Sequence, residues 1–107
     1  MARQYHHIGI PTSVQRPNEG YMADVKLFVT DPSQSEQNIE WCRFEEGSPL
    51  SPMIQNEAHI AYLVDDVEAA MQGKQVVQAP WDANPTTRVG FVVEDGQLVE
   101  LLSIADA

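Results

Sequence analysis

The feature that most constrains this chain is a pattern of ionisable side chains that occurs once in each half. In the second half, His59 and Glu100 each stand alone inside an apolar, strand-like run. In the first half, His7 and Glu40 stand alone in two further runs of the same kind, in the same order. A carboxylate among apolar neighbours is costly to bury unless another group pairs with it or binds it. The pattern therefore indicates an internal repeat whose four ionisable residues act together.

Each of these residues, taken singly, has an ordinary structural explanation. A single histidine in a strand usually makes one hydrogen bond in the core or at the surface, and a single glutamate usually faces solvent. Their repetition at matched positions is what favours a shared metal site. His6 is a rival for His7, but only His7 shares with His59 the order of histidine, isoleucine and a small residue. Since strand neighbours point to opposite faces, His6 is predicted to point away from His7.

Hydrophobic periodicity predicts a chain of short strands with a single helix. The helix is predicted to begin at Asp65 or Asp66, with Glu68 completing a capping box, and to end near Gly73. An Asp-Gly pair at 95–96 is a strong hairpin signal. Strands are predicted over residues 4–10, 24–30, 39–44, 58–64, 74–78, 87–94 and 97–104, with a further short strand near 21–25. Loops are predicted over residues 12–20, 31–38, 47–55 and 81–86.

Residues 1–107 are predicted to form one domain, because a chain of this length supports a single core. Within it, module 1 covers residues 4–46, a linker covers 47–57, and module 2 covers residues 58–104. Module 2 has the order strand, helix, strand, strand, strand, whereas module 1 lacks the helix. The expected fold class is α+β.

The chain is acidic, with 16 aspartates and glutamates against 6 lysines and arginines, and its formal charge is -10. Nucleic-acid binding needs a basic face, so no nucleic-acid partner is expected. The same negative field attracts divalent cations and mildly repels anionic substrates.

Cys42 is the only cysteine, which excludes an intrachain disulfide and fits a cytoplasmic protein. We expect a buried, unreactive thiol, because the sequence around it offers no activating group. The first residues lack the apolar core of a signal peptide, and no stretch reaches the length of a membrane span. The expected protein is soluble and cytoplasmic, with no membrane partner.

Imidazole and carboxylate groups together suit borderline divalent ions such as Zn, Ni, Fe, Mn or Co. Four ligands drawn from two modules would leave one or two coordination positions free, which is typical of a catalytic site. Such an ion polarises a bound carbonyl oxygen and lowers the pKa of bound water. The sequence thus predicts a metal site made of His7, Glu40, His59 and Glu100.

Three segments around these residues resemble a known superfamily. They are His-Ile-Gly-Ile at 7–10, His-Ile-Ala-Tyr-Leu-Val-Asp-Asp-Val-Glu-Ala-Ala at 59–70, and residues 91–101 with their Glu-Asp-Gly turn. These segments are similar to the vicinal oxygen chelate superfamily, which includes glyoxalase I, extradiol dioxygenases, methylmalonyl-CoA epimerase and the bleomycin and fosfomycin resistance proteins. The resemblance is good over residues 58–104 and thinner over 4–46.

The resemblance implies two βαβββ modules that form an open, curled, glyoxalase-like sheet around a metal, here with a lost or reduced helix in module 1. Ligands in the superfamily come from the first and last strands of each module, which hold His7, Glu40, His59 and Glu100 in this chain. Two histidines and two glutamates are similar to the glyoxalase I pattern, whereas extradiol dioxygenases use two histidines and one glutamate. The resemblance also implies a homodimer.

The expected function is that of a metal-dependent lyase or isomerase acting on a small substrate chelated through vicinal oxygens. Glu40 or Glu100 is the expected catalytic residue, which would carry a proton next to the substrate carbonyl. The alternatives are an extradiol-type dioxygenase, a non-catalytic binding protein of the antibiotic-resistance type, and a vestigial dimerising scaffold. Aromatic residues that would suit flat ligands are Trp41, Tyr62, Trp81 and Phe91.

Two arginines are candidates for binding a substrate carboxylate. Arg43 alternates with Glu40 along a strand and is predicted to lie on the opposite face. Arg88 begins a strand beside a loop, and the sequence leaves it open between solvent and the pocket.

Overall fold

Eight strands join in one mixed sheet that curls into a half-barrel, in a computed structural model that describes residues 2–105. The strands are β1 (Gln4–Pro11), β2 (Gly20–Met22), β3 (Leu27–Val29), β4 (Ile39–Phe44), β5 (His59–Leu63), β6 (Gln75–Asn84), β7 (Thr87–Glu94) and β8 (Gln97–Ile104). Two short helices, α1 (Pro52–Asn56) and α2 (Val67–Met71), and a 3₁₀ turn at Pro32–Gln34 complete the described chain. The expected α+β class is confirmed at this level.

The strand order is β2-β3-β4-β1-β5-β8-β7-β6, which divides the sheet into two halves at the β1–β5 pair. β1 and β5 are antiparallel to each other, β4 is parallel to β1, and β8 is parallel to β5. In each half, the first strand therefore pairs with the last, and the two middle strands lie further out. The repeat that the sequence indicates is present in the strand order.

Helix α2 covers one face of the second half. It begins after Asp66, whose side chain accepts a hydrogen bond from the backbone N–H of Ala69, so the predicted start at Asp66 is confirmed. Val67 and Met71 on this helix are buried against the apolar face of β7 and β8. A side-chain carbon at Gly90 would lie 2.5 Å from the Met71 sulfur, so the glycine permits the close approach of the helix.

The first half has no corresponding helix: residues 12–19, which follow its first strand, form neither helix nor strand. The guanidinium of Arg16 lies 3.8 Å from the centre of the Trp41 ring instead, and it covers this part of the sheet. The expectation of a missing helix in the first half agrees with the structure.

Three segments differ from the predicted elements. The predicted strand over 24–30 is interrupted, since Lys26 has a φ of 51°, and β2 and β3 form a hairpin around it. The predicted loop 47–55 contains the start of α1, which Ser51 caps by accepting from the N–H of Met53. Pro52 occupies the first turn of α1, where its missing N–H costs nothing.

β6 differs most from its predicted bounds, because the strand continues through Pro80 and most of the predicted loop 81–86. β6 is the outermost strand of the sheet, so a proline can lie in it without removing a hydrogen bond between two strands. The pairing register also shifts between Gln78 and Trp81, which accommodates the proline as a bulge.

Helix α1 contributes to the core on the concave side of the sheet. Ile54 of this helix is buried in a cluster with Leu50, Val25, Phe91 and Leu98. Among residues 2–105, no helix has both the length and the apolar character needed to cross a membrane.

Candidate metal centre

The four candidate ligands occupy equivalent positions in the two halves of the sheet. In the first half, Gly9 of β1 pairs with Glu40 of β4. In the second half, Ala61 of β5 pairs with Glu100 of β8. Gly9 and Ala61 each lie two positions after the histidine of the same strand, and residues two apart in a strand share a face. The same register therefore places a histidine and a glutamate on one face in both halves.

The pairing of the two central strands completes the symmetry. His7 of β1 lies opposite Ala61 of β5, and His59 of β5 lies opposite Gly9 of β1. Because the two strands are antiparallel, this register places the two histidines side by side on neighbouring strands. Their ring centres are 5.7 Å apart.

The glutamates contact these imidazoles directly. Oε1 of Glu100 lies 3.2 Å from Nε2 of His7 and 3.1 Å from Nε2 of His59. Oε1 of Glu40 lies 3.5 Å from Nε2 of His7. His7, Glu40 and His59 also form a set in which one ligand atom from each lies within 4.8 Å of the others. The structure thus brings all four predicted residues together.

The distances and burial fit a bound divalent ion. Ligand atoms that each lie about 2.1 Å from one ion are about 3.0 to 3.4 Å from each other, and the three imidazole–carboxylate separations here are 3.1, 3.2 and 3.5 Å. His7 and His59 are 3% and 4% exposed. Although carboxylate oxygens are near, Nε2 of neither histidine has a hydrogen-bond partner with good geometry among the described residues. The buried imidazoles and the adjacent carboxylates form a group that could hold a metal ion.

The contacts between His7 and the two carboxylates shift the pKa values in this cluster. Burial opposes protonation of His7, but the adjacent carboxylates of Glu100 and Glu40 raise the pKa of His7 to about 10. Burial alone would raise the pKa of Glu100, but His59 and His7 hold it well below its ordinary value. The adjacent carboxylates therefore favour a protonated His7 in this cluster.

His6 contributes to this cluster, contrary to the strict alternation predicted from the sequence. The register of β1 against β5 shifts between Tyr5 and His7, and this bulge turns His6 towards its neighbour. Nδ1 of His6 lies 2.8 Å from Nδ1 of His7. If Nε2 of His7 binds an ion, its Nδ1–H donates to His6, which fixes the ring as outer hydrogen-bond partners do in metal sites. A bulge of this kind leaves no clear mark in the sequence.

His59 is oriented by packing instead. A side-chain carbon at Gly9 would lie 2.1 Å from Cε1 of His59, so the imidazole occupies the space that the glycine leaves open. The ring of Phe91 meets the His59 ring edge to face, with 5.2 Å between ring centres. Nδ1 of His59 has no hydrogen-bond partner within residues 2–105.

The cluster lines a cleft of about 1030 Å³ on the concave side of the sheet. Trp81 and Phe91 line the same cleft and stack with 6.1 Å between ring centres. Trp41 and Tyr62 do not line it, because they lie under Arg16 and Arg3. Apolar side chains that line the cleft include Val25, Leu27, Leu50, Ile54, Trp81 and Phe91.

Cys42 also lines the cleft, with its sulfur 3.4 Å from Oε1 of Glu40. It is 3% exposed, and burial raises the pKa of its thiol well above the ordinary value. The expected unreactive thiol agrees with these surroundings.

Neither candidate arginine lines the cleft. Arg43 forms two hydrogen bonds with Glu19, at 2.9 and 2.7 Å. Arg88 forms ion pairs with Glu68 and Asp82. The question left open for Arg88 is answered in favour of a surface ion-pair network.

The fold is similar to that of a solved structure. Hypothetical protein BH1468 from Bacillus halodurans C-125 superposes with a TM-score of 0.75 at 20% identity, over 100% of this chain and 98% of that chain. A scan against protein-family models gives no match, and a search of curated proteins gives none either. At this identity the similarity shows the fold alone.

Proposed function

We propose that this protein is a metal-dependent enzyme of the vicinal oxygen chelate type, a lyase or isomerase acting on a small substrate bound through two adjacent oxygens. The observation that carries the proposal is the symmetric register that brings two buried histidines and two glutamates to the wall of one large cleft. In each half of the sheet, the first strand pairs in parallel with the last. This arrangement supports the two-module glyoxalase-like architecture expected from the resemblance.

His7, His59, Glu40 and Glu100 would hold the ion, which is Zn, Ni, Fe, Mn or Co by the chemistry of the donor set. When bound, such an ion polarises a substrate carbonyl and makes a neighbouring carbon more acidic. The protein's part is to fix the two imidazoles and to supply a base. Trp81 and Phe91 would hold the substrate body against the wall of the cleft.

The two glutamates differ in their surroundings, and we assign them different roles. Glu100 contacts both imidazoles, and its side chain is 11% exposed. Of the two imidazoles, Glu40 contacts only that of His7, and its side chain is 21% exposed. A general base has to reach the substrate, so Glu40 is the residue we assign to proton transfer, while Glu100 stays a carboxylate ligand.

The proposal is tested by metal analysis of protein purified without a chelator. We expect about one divalent ion per chain in the wild type, little in His59→Ala, and wild-type content in Glu36→Gln, which removes an exposed glutamate away from the cluster. If the wild type and His59→Ala carry equally little metal, the proposal fails.

An extradiol-type dioxygenase is the second candidate, favoured by the set of His7, Glu40 and His59. Two histidines and one carboxylate around open positions are typical of non-haem Fe(II) oxygenases. Oxygen consumption by the Fe(II)-loaded protein with catechol separates the two candidates, since a lyase or isomerase consumes none.

A non-catalytic binding protein is favoured by the size and aromatic lining of the cleft. It predicts that a flat ligand quenches tryptophan fluorescence equally in metal-free and metal-loaded protein. The enzyme proposal predicts quenching by a chelating ligand only after metal is added. The homodimer expected from the resemblance is tested by measuring the molar mass of the purified protein with size-exclusion chromatography and light scattering.

A further inference from the structure

The cleft around the candidate metal centre has an unusual charge balance. Among residues 2–105, no lysine or arginine lines it. The acidic side chains that line it are Asp24, Asp31, Glu40 and Glu100. Asp24 and Asp31 are exposed, so they add negative charge away from the buried ligands.

Most of the chain's cations are held elsewhere by acidic or aromatic partners. Arg43 pairs with Glu19, and Arg88 pairs with Glu68 and Asp82. The remaining partnered cations are Arg3 and Lys74, which both pair with Glu94, and Arg16, which stacks on Trp41. Moving one of these side chains into the cleft would break an existing contact.

An ion in the cluster would not supply the missing positive charge. The carboxylates of Glu40 and Glu100 together balance the charge of one divalent ion, so the loaded centre has no net charge. An anionic group on the substrate would then lose its hydration without gaining a partner, and it would be repelled by Asp24 and Asp31.

The walls of the cleft suit an apolar molecule instead. Leu27, Ile54, Trp81 and Phe91 line it, and the two aromatic rings stack on each other. Flat apolar groups gain contact area against such walls without desolvating a charge.

We propose that the natural ligand is an uncharged, largely apolar molecule that meets the ion through a pair of oxygens. Compounds whose remaining part carries a phosphate or a carboxylate are poor ligands of this cleft. The inference rests on the proposed function, because it assumes that two oxygens bind the ion.

The test uses two hydroxamates with the same chelating group and nearly the same shape. They are 4-carbamoylbenzohydroxamic acid, which is neutral at its far end, and 4-carboxybenzohydroxamic acid, which is anionic there. Calorimetric titration of the Ni-loaded protein at low salt should give a dissociation constant about tenfold lower for the carbamoyl compound. The difference should shrink at high salt, which screens the exposed aspartates.

A matched pair of variants tests the cause of the difference. Ala23→Arg adds a cation at an exposed position that lines the cleft, whereas Gln72→Arg adds one at an exposed position outside it. We expect Ala23→Arg to recover most of the affinity for the carboxylate and Gln72→Arg to recover none.

Metal content is measured first, so that failure of the metal site is recognised separately. If the protein binds nickel but takes both hydroxamates equally, prefers the carboxylate, or binds neither, the charge inference is overturned while the metal site stands. Equal effects of Ala23→Arg and Gln72→Arg also overturn it, because the cleft would then have no special part in the preference.

Discussion

The two halves of the sheet present a histidine and a glutamate in the same register, but they hold the histidine in different ways. His7 has a hydrogen-bond partner in its neighbour His6, whereas His59 lies on Gly9 and against Phe91. The outer layers also differ, since within residues 2–105 only the second half has a helix packed on the face opposite the cleft. Strand register therefore sets where the candidate ligands lie, and local contacts set how each ring is fixed.

The largest expected effect comes from filling the space beneath His59. Gly9→Ala places a carbon 2.1 Å from the imidazole, so the ring has to move away from the cluster. We expect metal affinity to fall by about 100-fold or more, in competition with a chromophoric chelator. The matched variant is Ala61→Gly, which removes a carbon at the equivalent position under His7 and should keep most of the affinity. Unchanged affinity in Gly9→Ala would show that packing does not position His59.

The next effect concerns the hydrogen bond that holds His7. His6→Phe keeps a ring but removes the nitrogen that meets Nδ1 of His7. We expect about tenfold weaker metal binding, while His6→Asn, which offers an acceptor oxygen, should bind more tightly than His6→Phe. Nitrogen NMR of His7 gives an independent readout, because the loss of a fixed proton position at Nδ1 changes its chemical shift. If His6→Phe and His6→Asn behave alike, His6 acts only through packing.

A smaller effect is expected in the pH dependence of the metal-free protein. The pKa of folded His7 is about 10, above its ordinary value of 6.5, so the protonated ring stabilises the fold fully below about pH 6.5. This stabilisation is lost as the pH rises towards 10, and we expect it to be at least about 1 kcal/mol. Urea unfolding at pH 7 and pH 9.5 measures it against His7→Gln, which has no such proton. Parallel losses in the two proteins would contradict the assignment.

The smallest effect concerns the outer layer of the first half. Arg16→Ala removes the guanidinium from the Trp41 ring and should cost about 0.5 to 1 kcal/mol of unfolding free energy. Met71→Ala in the second half removes a buried helix side chain and should cost about 2 to 4 kcal/mol. Both should leave metal affinity unchanged. A loss of affinity in either variant would show that the outer layers help to position the ligands.

Much of the arrangement was predictable because it depends on alternation and repetition. The same order of histidine and glutamate in the two halves singled out His7, Glu40, His59 and Glu100 as one candidate set. Asp66 and Gly73 marked the limits of α2, since capping chemistry is local. Both kinds of feature, the repeat and the helix caps, can be recognised without knowing which strands pair.

Other features depend on partners that are distant in the chain. Pro80 looked like the end of a strand, but β6 is an edge strand that tolerates it. His6 was expected on the far face, but the bulge against β5 turns it towards His7. Arg88 was undecided until Glu68 and Asp82 were found beside it.

The sequence by itself determined which residues repeat, and with them the pairing of one histidine and one glutamate in each half. Only the tertiary structure decided that Nε2 of both histidines and the carboxylates lie at ligand spacing, because this requires the antiparallel register of β1 with β5. It also decided that the cleft has no lysine or arginine among the described residues, since most of these side chains have acidic or aromatic partners elsewhere. Spacing along the chain is local information, whereas a metal centre and a cleft are made by strands that the chain brings together from a distance.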